Sequence, residues 1–243
     1  MSKSKFLELS KKFIFLKKFY FFYNIYIRNY KFLKDGSQFQ EDKFILKQFP
    51  INYKGKYLDV GCFHPTRHSN THRMYKLGWT GMNIDLNPLT IELFNYARPK
   101  DINLNIGISN KEMEKKLYFI DELNTQNTLD PNQLFFLKNQ QNIRDEEISE
   151  KIIKVKPINV ILSEYEFNHI DFMNLDVEGH ELEIIESLDF NKYNIKYLCV
   201  EMLKHNSESK FKSEKINQIL KSNKYSLIKE IGFNYIYKNL QFN

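Results

Sequence analysis

The sequence is poor in the residues that build several common kinds of protein. Its 243 residues include two cysteines, eight glycines and one tryptophan. The cysteines, Cys62 and Cys199, are too few for a disulfide framework, and neither belongs to a Cys/His cluster with the spacing of a zinc site. We therefore expect two free thiols and no zinc, in a cytoplasmic protein of a reducing compartment.

Long hydrophobic runs are also missing from the N-terminal segment. Its longest stretch without a charged residue is the nine residues 19–27, whereas a membrane-spanning helix needs about 20 apolar residues. The segment also lacks a small-residue cleavage site, which a secretory signal would need. We therefore predict neither a membrane span nor a signal peptide.

Positive charge is concentrated at one end of the chain. Residues 1–34 contain nine lysines and arginines and one acid, a net charge of +8, so that the rest of the chain carries −2 of the total of +6. The main part of the chain therefore lacks the excess of basic residues that is typical of a nucleic-acid groove. We predict no nucleic-acid partner.

The same N-terminal residues have the apolar periodicity of a long amphipathic helix, and neither Gly nor Pro interrupts it before Gly36. One apolar row is formed by Leu9, Phe13, Leu16, Tyr20, Tyr23, Ile27 and Tyr30. A second row is formed by Phe15, Phe19, Phe22 and Tyr26. Three roles stay open for this helix. It packs on the main domain or on a second copy of the chain in a homo-oligomer, or it docks on the anionic inner face of a membrane, or it binds another partner.

Predicted strands and helices alternate from residue 56 onward, which favours an α/β fold with a mostly parallel sheet and helices on both faces. We divide the chain into an N-terminal helix and connector, residues 1–42, and one domain, residues 43–243, with a polar loop-and-helix insertion at 121–150. The strands are predicted at 57–61, 81–85, 102–108, 116–120, 154–162, 172–176, 197–201, 225–230 and 233–237. The helices are predicted at 44–49, 70–77, 87–97, 180–188 and 209–221.

The first two strands end in residues that suit a nucleotide-like ligand, since ligands of such sheets bind at the carboxyl ends of the strands. Strand one ends at Asp59 and Gly61, where the glycine lets the backbone approach a ligand and the acid accepts hydrogen bonds from an amine or from loop amides. Strand two ends at Asp85 and Leu86. An acid at this position can hold two ribose hydroxyls, and the leucine can flank an adenine.

The glycine pattern of a dinucleotide site is absent after strand one. The fingerprint G-x-G-x-x-G cradles a pyrophosphate, but Gly61 is followed by Cys62, Phe63, His64 and Pro65. A cofactor without phosphates, such as S-adenosylmethionine, fits better. An NAD-dependent oxidoreductase or epimerase remains the alternative.

Acidic residues gather at the ends of the next two strands. Residues 174–181 read NLDVEGHE, and the following strand ends at Glu201. If these strands are neighbours, about 4.8 Å apart, Asp176 and Glu201 form a carboxylate pair. Such a pair can hold a hard cation such as Mg²⁺, or raise one pKa for work as a base. The alternative is hydrogen bonding to loop amides, and for Glu178 and Glu181 a favourable position at a helix N-terminus.

Six stretches together resemble the FkbM family of S-adenosylmethionine-dependent methyltransferases. They are residues 58–65 (LDVGCFHP), 69–71 (SNT), 78–88 (GWTGMNIDLNP), 98–105 (RPKDINLN), 175–181 (LDVEGHE) and 200–201 (VE). The resemblance implies a class I, Rossmann-like methyltransferase fold, with a mostly parallel seven-stranded sheet and a reversed last strand. It also implies methyl transfer to an oxygen, often a sugar hydroxyl of a glycan or other small molecule.

The resemblance also implies roles for single residues. Cofactor contacts are expected at Asp59, Gly61, Cys62, Phe63, Asn70, Asp85, Leu86, Asn105, Gly107 and Asp176. The candidate catalytic residues are Asp176, Glu178 and His180, and the candidate Mg²⁺ ligands are Asp176 and Glu201.

His180 is the first candidate for the general base, because imidazole titrates near neutral pH. Asp176 is the second, either as the base or as the ligand of a cation that acidifies the hydroxyl. His64 and His205 are further candidates. A membrane-recruited binding protein with an inactive methyltransferase-like domain is the remaining alternative.

Overall fold

The computed structural model describes residues 14–27, 36–120, 148–202 and 206–242, with single residues at 129, 131, 134, 135, 138, 139 and 144. The helices are α1 (Ile14–Phe22, continued as a π-helix over Tyr23–Ile27), α2 (Glu41–Leu46), α3 (His72–Lys76), α4 (Pro88–Ala97), α5 (Ile158–Glu164), α6 (Glu181–Ser187) and α7 (Ser207–Ser222). The strands are β1 (Lys56–Val60), β2 (Thr80–Asp85), β3 (Ile102–Asn105), β4 (Gly107–Ile108), β5 (Met113–Phe119), β6 (Ser149–Lys156), β7 (His169–Leu175), β8 (Asn194–Glu201), β9 (Tyr225–Ile231) and β10 (Asn234–Asn239).

Seven of these strands form one sheet in the order β3-β2-β1-β7-β8-β10-β9. The pairs β1–β2, β2–β3, β1–β7 and β7–β8 are parallel, and β10 is antiparallel to both of its neighbours. The order places the carboxyl ends of β1, β2, β7 and β8 along one edge. This arrangement confirms the expected α/β fold with its mostly parallel seven-stranded sheet and reversed strand.

Helices cover both faces of this sheet, because successive strand residues point to opposite sides. On one face, Leu58 and Met173 pack with residues of α5, α6 and α7. On the other face, Tyr57 and Phe172 pack with residues of α2 and α3. The central strand β7 is buried from its second residue to its last, which is typical of a strand covered on both faces.

The remaining strands form a second sheet, in the order β4-β6-β5. The predicted single strand 102–108 is therefore wrong in part, since its two halves belong to different sheets. Gly107 lies at the start of the second half, where an added Cβ would be 2.6 Å from Val155 and 2.8 Å from Leu86. Because Gly107 packs this closely on β6, the chain leaves the seven-stranded sheet after β3 and joins the second sheet.

The predicted strand 154–162 is also wrong in part, because β6 ends at Lys156 and helix α5 follows. Pro157 lies at the N-cap of α5. Proline has no backbone N–H for a sheet and has a φ suited to a helix start. Ile158, Ile161 and Leu162 are buried at the spacing of a helix face. Most of the predicted insertion lies outside the described residues, and those described at 131, 134, 135, 138 and 139 are helical.

One side of α1 packs on α4. Tyr20, Phe21 and Ile25 form a buried cluster with Leu93, and Lys17 forms an ion pair with Glu92. The predicted helix residues before 14 and after 27 lie outside the described residues, up to Gly36. Within the described part of the chain, no helix combines the length and hydrophobicity that crossing a membrane requires.

The chain from Gly36 to Asp42 contacts the domain. The Gly36 amide donates to the Thr66 carbonyl at 2.8 Å, and the Gly36 carbonyl accepts from the Ser69 amide at 3.1 Å. Asp42 is buried and lies 2.8 Å from the Arg73 guanidinium. The helix predicted at 44–49 lies three residues earlier, as α2, so that its first turn carries the acids Glu41 and Asp42.

Candidate functional site

A cavity of about 600 Å³ opens at the carboxyl ends of β1, β2, β7 and β8. This volume lies within the usual range of small-molecule sites, about 300–1,000 Å³. Most residues predicted to form the site line this cavity. They are Asp59, Gly61, Cys62, Phe63, Asn70, Asp85, Leu86, Asp176, Glu178, His180 and Glu201.

Two of the expected cofactor residues lie outside the cavity lining. The Asn105 side chain donates to the Asp85 carbonyl at 2.9 Å, and Gly107 packs between the two sheets. Ile106 and Ile108 line the cavity in their place. With Leu86, they give this part of the wall an apolar surface that suits a flat aromatic ring.

Gly61 is required by the packing of the chain on itself. Its φ is +81°, and an added Cβ would lie 1.6 Å from the Asp176 carbonyl oxygen. Gly61 also lines the cavity, so its expected approach to a ligand stays a prediction, and the packing on β7 is a second reason for a glycine at this position. Only glycine lets the loop after β1 lie directly against the end of β7, where the Asp176 amide donates to the Val60 carbonyl at 3.0 Å.

Asp85, at the end of β2, is held by two backbone amides. Its Oδ2 accepts from the Phe63 amide at 3.1 Å and its Oδ1 from the Asn87 amide at 2.7 Å. Burial raises the pKa of Asp85 to about 6, against the lowering effect of these two hydrogen bonds. Each carboxylate oxygen has a second lone pair, so the group can still accept from two hydroxyls of a ligand.

Asp59 uses its carboxylate to organise other side chains at the cavity wall. Its Oδ2 accepts from the Thr71 hydroxyl at 2.6 Å and its Oδ1 from the Asn174 amide group at 3.0 Å. Asn174 in turn accepts from the Asn70 side chain at 2.8 Å. Burial raises the pKa of Asp59. The network fixes the polar groups of Asn70 and Asn174 at the wall.

Arg98 is a functional residue that the sequence analysis missed. Its buried guanidinium donates to the Pro65 carbonyl at 3.1 Å, to the Thr71 hydroxyl at 2.8 Å and to the Ser69 hydroxyl at 2.9 Å. It also lies 4.9 Å from the Phe94 ring centre. Arg98 therefore fastens the whole loop from Pro65 to Thr71. In the sequence it is part of a polar turn after α4, which gives no local sign of burial.

His64 has a structural role in the same loop. Its Nδ1 accepts from the backbone amides of Thr66 at 3.2 Å and Arg67 at 3.1 Å. An Nδ1 that accepts requires the neutral ring with its proton on Nε2. His64 is buried and does not belong to the cavity lining. His205, the other additional base candidate, lies outside the described residues.

Three carboxylates meet on the opposite side of the cavity. Asp176, Glu178 and Glu201 each place one oxygen within 4.8 Å of the others. Burial raises the pKa of Glu201 to about 8, and burial with the neighbouring charge of Glu201 raises the pKa of Asp176. Burial and the neighbouring negative charges thus favour the protonated forms of both carboxyls.

The turn after β7 is shaped by Glu181. Its carboxylate accepts from the backbone amides of Val177 at 2.9 Å and Gly179 at 3.1 Å. Glu178 and Gly179 both have positive φ, +53° and +106°, a conformation that costs energy for a residue with a Cβ. Glu181 thus acts on the turn, and the turn carries Glu178 to the cavity.

His180 follows this turn and lines the cavity. Its Nε2 lies 3.5 Å from Glu183 Oε2. Glu183 also accepts from the Ser109 hydroxyl at 2.6 Å and from Lys115 Nζ at 3.0 Å. Burial alone would raise the pKa of Glu183, but these hydrogen bonds outweigh it and lower the pKa. A carboxylate whose ionised form is favoured therefore lies beside the His180 ring, held by contacts that the sequence analysis did not foresee.

The family model for the methyltransferase FkbM domain matches residues 59–227, which is more than half of the chain. Among solved structures, the chain is similar to a SAM dependent methyltransferase from Aquifex aeolicus, with 15% sequence identity, a TM-score of 0.39, and coverage of 85% of this chain and 93% of that one. Comparison with curated proteins gives no match. The assignment rests on the family model, since the structural likeness is too low to support one. The chain belongs to the FkbM methyltransferase family.

Proposed function

We propose that the protein is an S-adenosylmethionine-dependent O-methyltransferase, which acts on a sugar hydroxyl of a glycan, polysaccharide or glycosylated metabolite. The proposal rests on one arrangement above all. Asp85, held by two backbone amides, faces the same cavity as Asp176 and His180. One side of the cavity is thus suited to a ribose, and the other to the removal of a proton.

The cavity fits this cofactor in three respects. Its volume suits a molecule of that size, Asp85 retains lone pairs for two ribose hydroxyls, and Leu86 and Ile106 offer an apolar surface for adenine. The loop between β1 and α3 is filled by its own His64 side chain and by the Arg98 side chain, which reaches it from the end of α4. It lacks the glycines that a pyrophosphate needs. A dinucleotide is therefore the poorer fit.

When bound, the cofactor supplies an electrophilic methyl group. The chain itself must bring a hydroxyl into line and accept its proton, since an alcohol is a weak nucleophile until it is deprotonated. His180 is the base that we propose, because its imidazole lines the cavity and the Glu183 carboxylate lies 3.5 Å from Nε2. Asp176 and Glu201 line the same cavity, and this pair is the second group that can receive the hydroxyl proton, in the fraction of molecules in which one of its carboxyls is ionised.

The function is tested by equilibrium binding of labelled S-adenosylmethionine and by methyl transfer to a panel of saccharides. We expect binding that NAD does not displace, and label in at least one saccharide. Asp85→Asn removes a charged acceptor and should weaken cofactor binding roughly 10- to 100-fold. Glu164→Gln, at an exposed carboxylate of α5, is the matched control. Preferential binding of NAD, or no binding of either cofactor, would refute the proposal.

The base is tested with His180→Asn, which keeps a polar group of similar size. We expect kcat to fall about 100-fold or more, with little change in cofactor binding. Glu183→Gln should give a smaller loss of kcat that shifts with pH, because it removes the charge that orients the ring. Full turnover of His180→Asn would assign the base to the pair of Asp176 and Glu201.

A Mg²⁺ role for Asp176, Glu178 and Glu201 is a separate part of the proposal. Their spacing allows shared oxygen ligands, but a cation would have to displace the proton that the pair holds. Chelator treatment followed by Mg²⁺ addition tests this directly. A metal role predicts loss and recovery of turnover, and unchanged turnover leaves the cluster as a proton carrier.

A further inference from the structure

Helix α1 exposes a row of large apolar side chains, which we call the aromatic face. It consists of Phe15, Phe19, Phe22, Tyr23, Tyr26 and Ile27. Phe15 is 70% exposed, Phe19 56% and Tyr26 54%. Single exposed apolar residues are common on protein surfaces, but a continuous row of them marks an interaction site.

The aromatic face is distinct from the side that fixes α1 to the domain. That side consists of Tyr20, Phe21 and Ile25, which are buried against Leu93 of α4. Lys17, which pairs with Glu92, lies on the same side. The helix therefore already has its partner within the domain, and the aromatic face points outward from a fixed support.

Charge identifies the partner of this face. Residues 1–34 carry a net charge of +8, while the rest of the chain carries −2. Lys18 is exposed next to Phe19. A second copy of residues 1–34 would bring a sequence charge of +8 against +8, which opposes association. An anionic lipid surface attracts each basic residue near it by about 1 kcal/mol.

We propose that the aromatic face docks on the surface of an anionic lipid bilayer. The helix lies in the plane of the interface, with phenylalanines at the boundary of headgroups and acyl chains and tyrosines at the level of the headgroups. The lysines of residues 1–34 contact the acidic headgroups. This inference is independent of the reaction that the cavity performs.

Co-sedimentation of the full chain with vesicles tests the proposal. We expect binding to phosphatidylcholine vesicles that contain phosphatidylglycerol, weaker binding to phosphatidylcholine alone, and loss of binding in high salt because charge is screened. Equal or no binding to the two kinds of vesicle would overturn the proposal.

The face itself is tested with the triple variant Phe15→Ser, Phe19→Ser and Phe22→Ser. We expect at least about tenfold weaker vesicle binding. The matched control replaces three exposed apolar residues elsewhere, Ile51→Ser, Phe211→Ser and Leu240→Ser, and should bind as the unaltered chain does.

Two further measurements separate docking from other causes. If the triple variant does not fold, the single variant Phe15→Ser replaces it, with a smaller expected loss of vesicle binding. Light scattering gives the oligomeric state of each variant. A dimer that the triple variant converts to a monomer, with vesicle binding unchanged, would show that a second copy covers the face and would overturn the proposal.

Discussion

The two sides of the cavity treat buried charge in opposite ways. On the β1 side, the carboxylate of Asp59 is matched by hydrogen bonds from Thr71 and Asn174, with the buried Arg98 guanidinium bonded to the same Thr71 hydroxyl. On the β7–β8 side, Asp176 and Glu201 lie together without a cation beside them among the described residues, and burial with the neighbouring negative charges raises the pKa of both.

This difference separates residues that fix the shape of the site from residues that are suited to proton transfer. Hydrogen bonds from fixed donors and the charge of Arg98 favour the ionised form of Asp59 against the effect of burial. At Asp176, by contrast, the negative charge of Glu201 adds to burial and favours the protonated form. The β1 side is therefore built to hold a ligand in place, and the β7–β8 side to exchange protons with it.

Gly61→Ala should disrupt both sides of the cavity, because Gly61 lies where the loop after β1 contacts the end of β7. Its new Cβ would lie 1.6 Å from the Asp176 carbonyl oxygen at a φ of +81°. We expect a loss in the free energy of unfolding on the order of 4 kcal/mol or more, measured by urea denaturation. Gly78→Ala is the control, since φ is +90° there but the nearest atom is a Lys54 side-chain carbon at 3.4 Å. Equal effects of the two changes would contradict the packing argument.

Arg98→Met should damage the β1 side alone. It leaves Ser69, Thr71 and the Pro65 carbonyl without their donor, and it strands the charge of Asp59 in a buried site. We expect a loss of about 3–5 kcal/mol in the free energy of unfolding. Adding Asp59→Asn should recover part of that loss, because the stranded charge is then gone.

The control for Arg98 is Lys156→Met, which removes an ion pair with Glu164 on the surface. Exposed pairs contribute little to stability, so this variant should unfold close to the unaltered protein. If both variants behaved alike, the buried guanidinium would not be what fastens the loop.

Glu201→Gln should reduce the pH dependence of stability that comes from the β7–β8 side of the cavity. The pKa of Glu201 is raised from 4.5 to about 8 in the folded chain, so the folded state binds more protons than the unfolded state between these values. Its contribution to stability is present below about pH 4.5 and is lost as the pH rises through 8. We expect Glu201 to account for a fall on the order of 5 kcal/mol in the free energy of unfolding over this range, and the variant to reduce the fall by that part. The raised pKa values of Asp59, Asp85 and Asp176 account for the remainder.

Urea denaturation at a series of pH values checks this sign. Glu164→Gln, at an exposed carboxylate, should leave the curve as it is. A stability that rises with pH in the unaltered protein, or a fall of the same size in Glu201→Gln, would show that Glu201 is not a group that titrates in this range.

His64→Ala should have the smallest effect, and only on stability. It removes the acceptor for the amides of Thr66 and Arg67, which costs about 1–2 kcal/mol. His64→Asn, with an oxygen that can replace Nδ1, should cost less. Thermal unfolding measures both. A loss of turnover in His64→Asn without loss of stability would place His64 in the chemistry instead.

The fold could be predicted where each helix or strand shows a single apolar periodicity in the sequence. The strands at the centre of the sheet and the acids at their ends, Asp59, Asp85 and Asp176, lie where the alternation of strands and helices places them. The boundary at Lys156 was missed because the apolar spacing on its two sides suits a strand and a helix equally. Pro157 was the available signal, since a proline in the middle of a strand argues against that strand.

The hydrogen bonds and ion pairs between the site residues were much less predictable than the identity of those residues. Arg98 reaches Pro65 and Ser69 across about thirty positions of sequence, and Glu183 reaches Ser109 and Lys115 across about seventy. Such contacts have no periodicity and no local motif, because folding alone brings the partners together. The reason for Gly61 was missed for the same cause, since the atom it makes room for belongs to another strand.

The contact between Gly36 and the loop of Thr66 has a practical consequence for shortened forms of the protein. A chain that starts at residue 43 would lose Gln38, which lines the cavity, and Asp42, which forms an ion pair with Arg73. It would also remove Glu41, which accepts from the Asn234 side chain at 2.7 Å. We therefore expect a shortened form to keep these contacts only if it begins at or before Gly36.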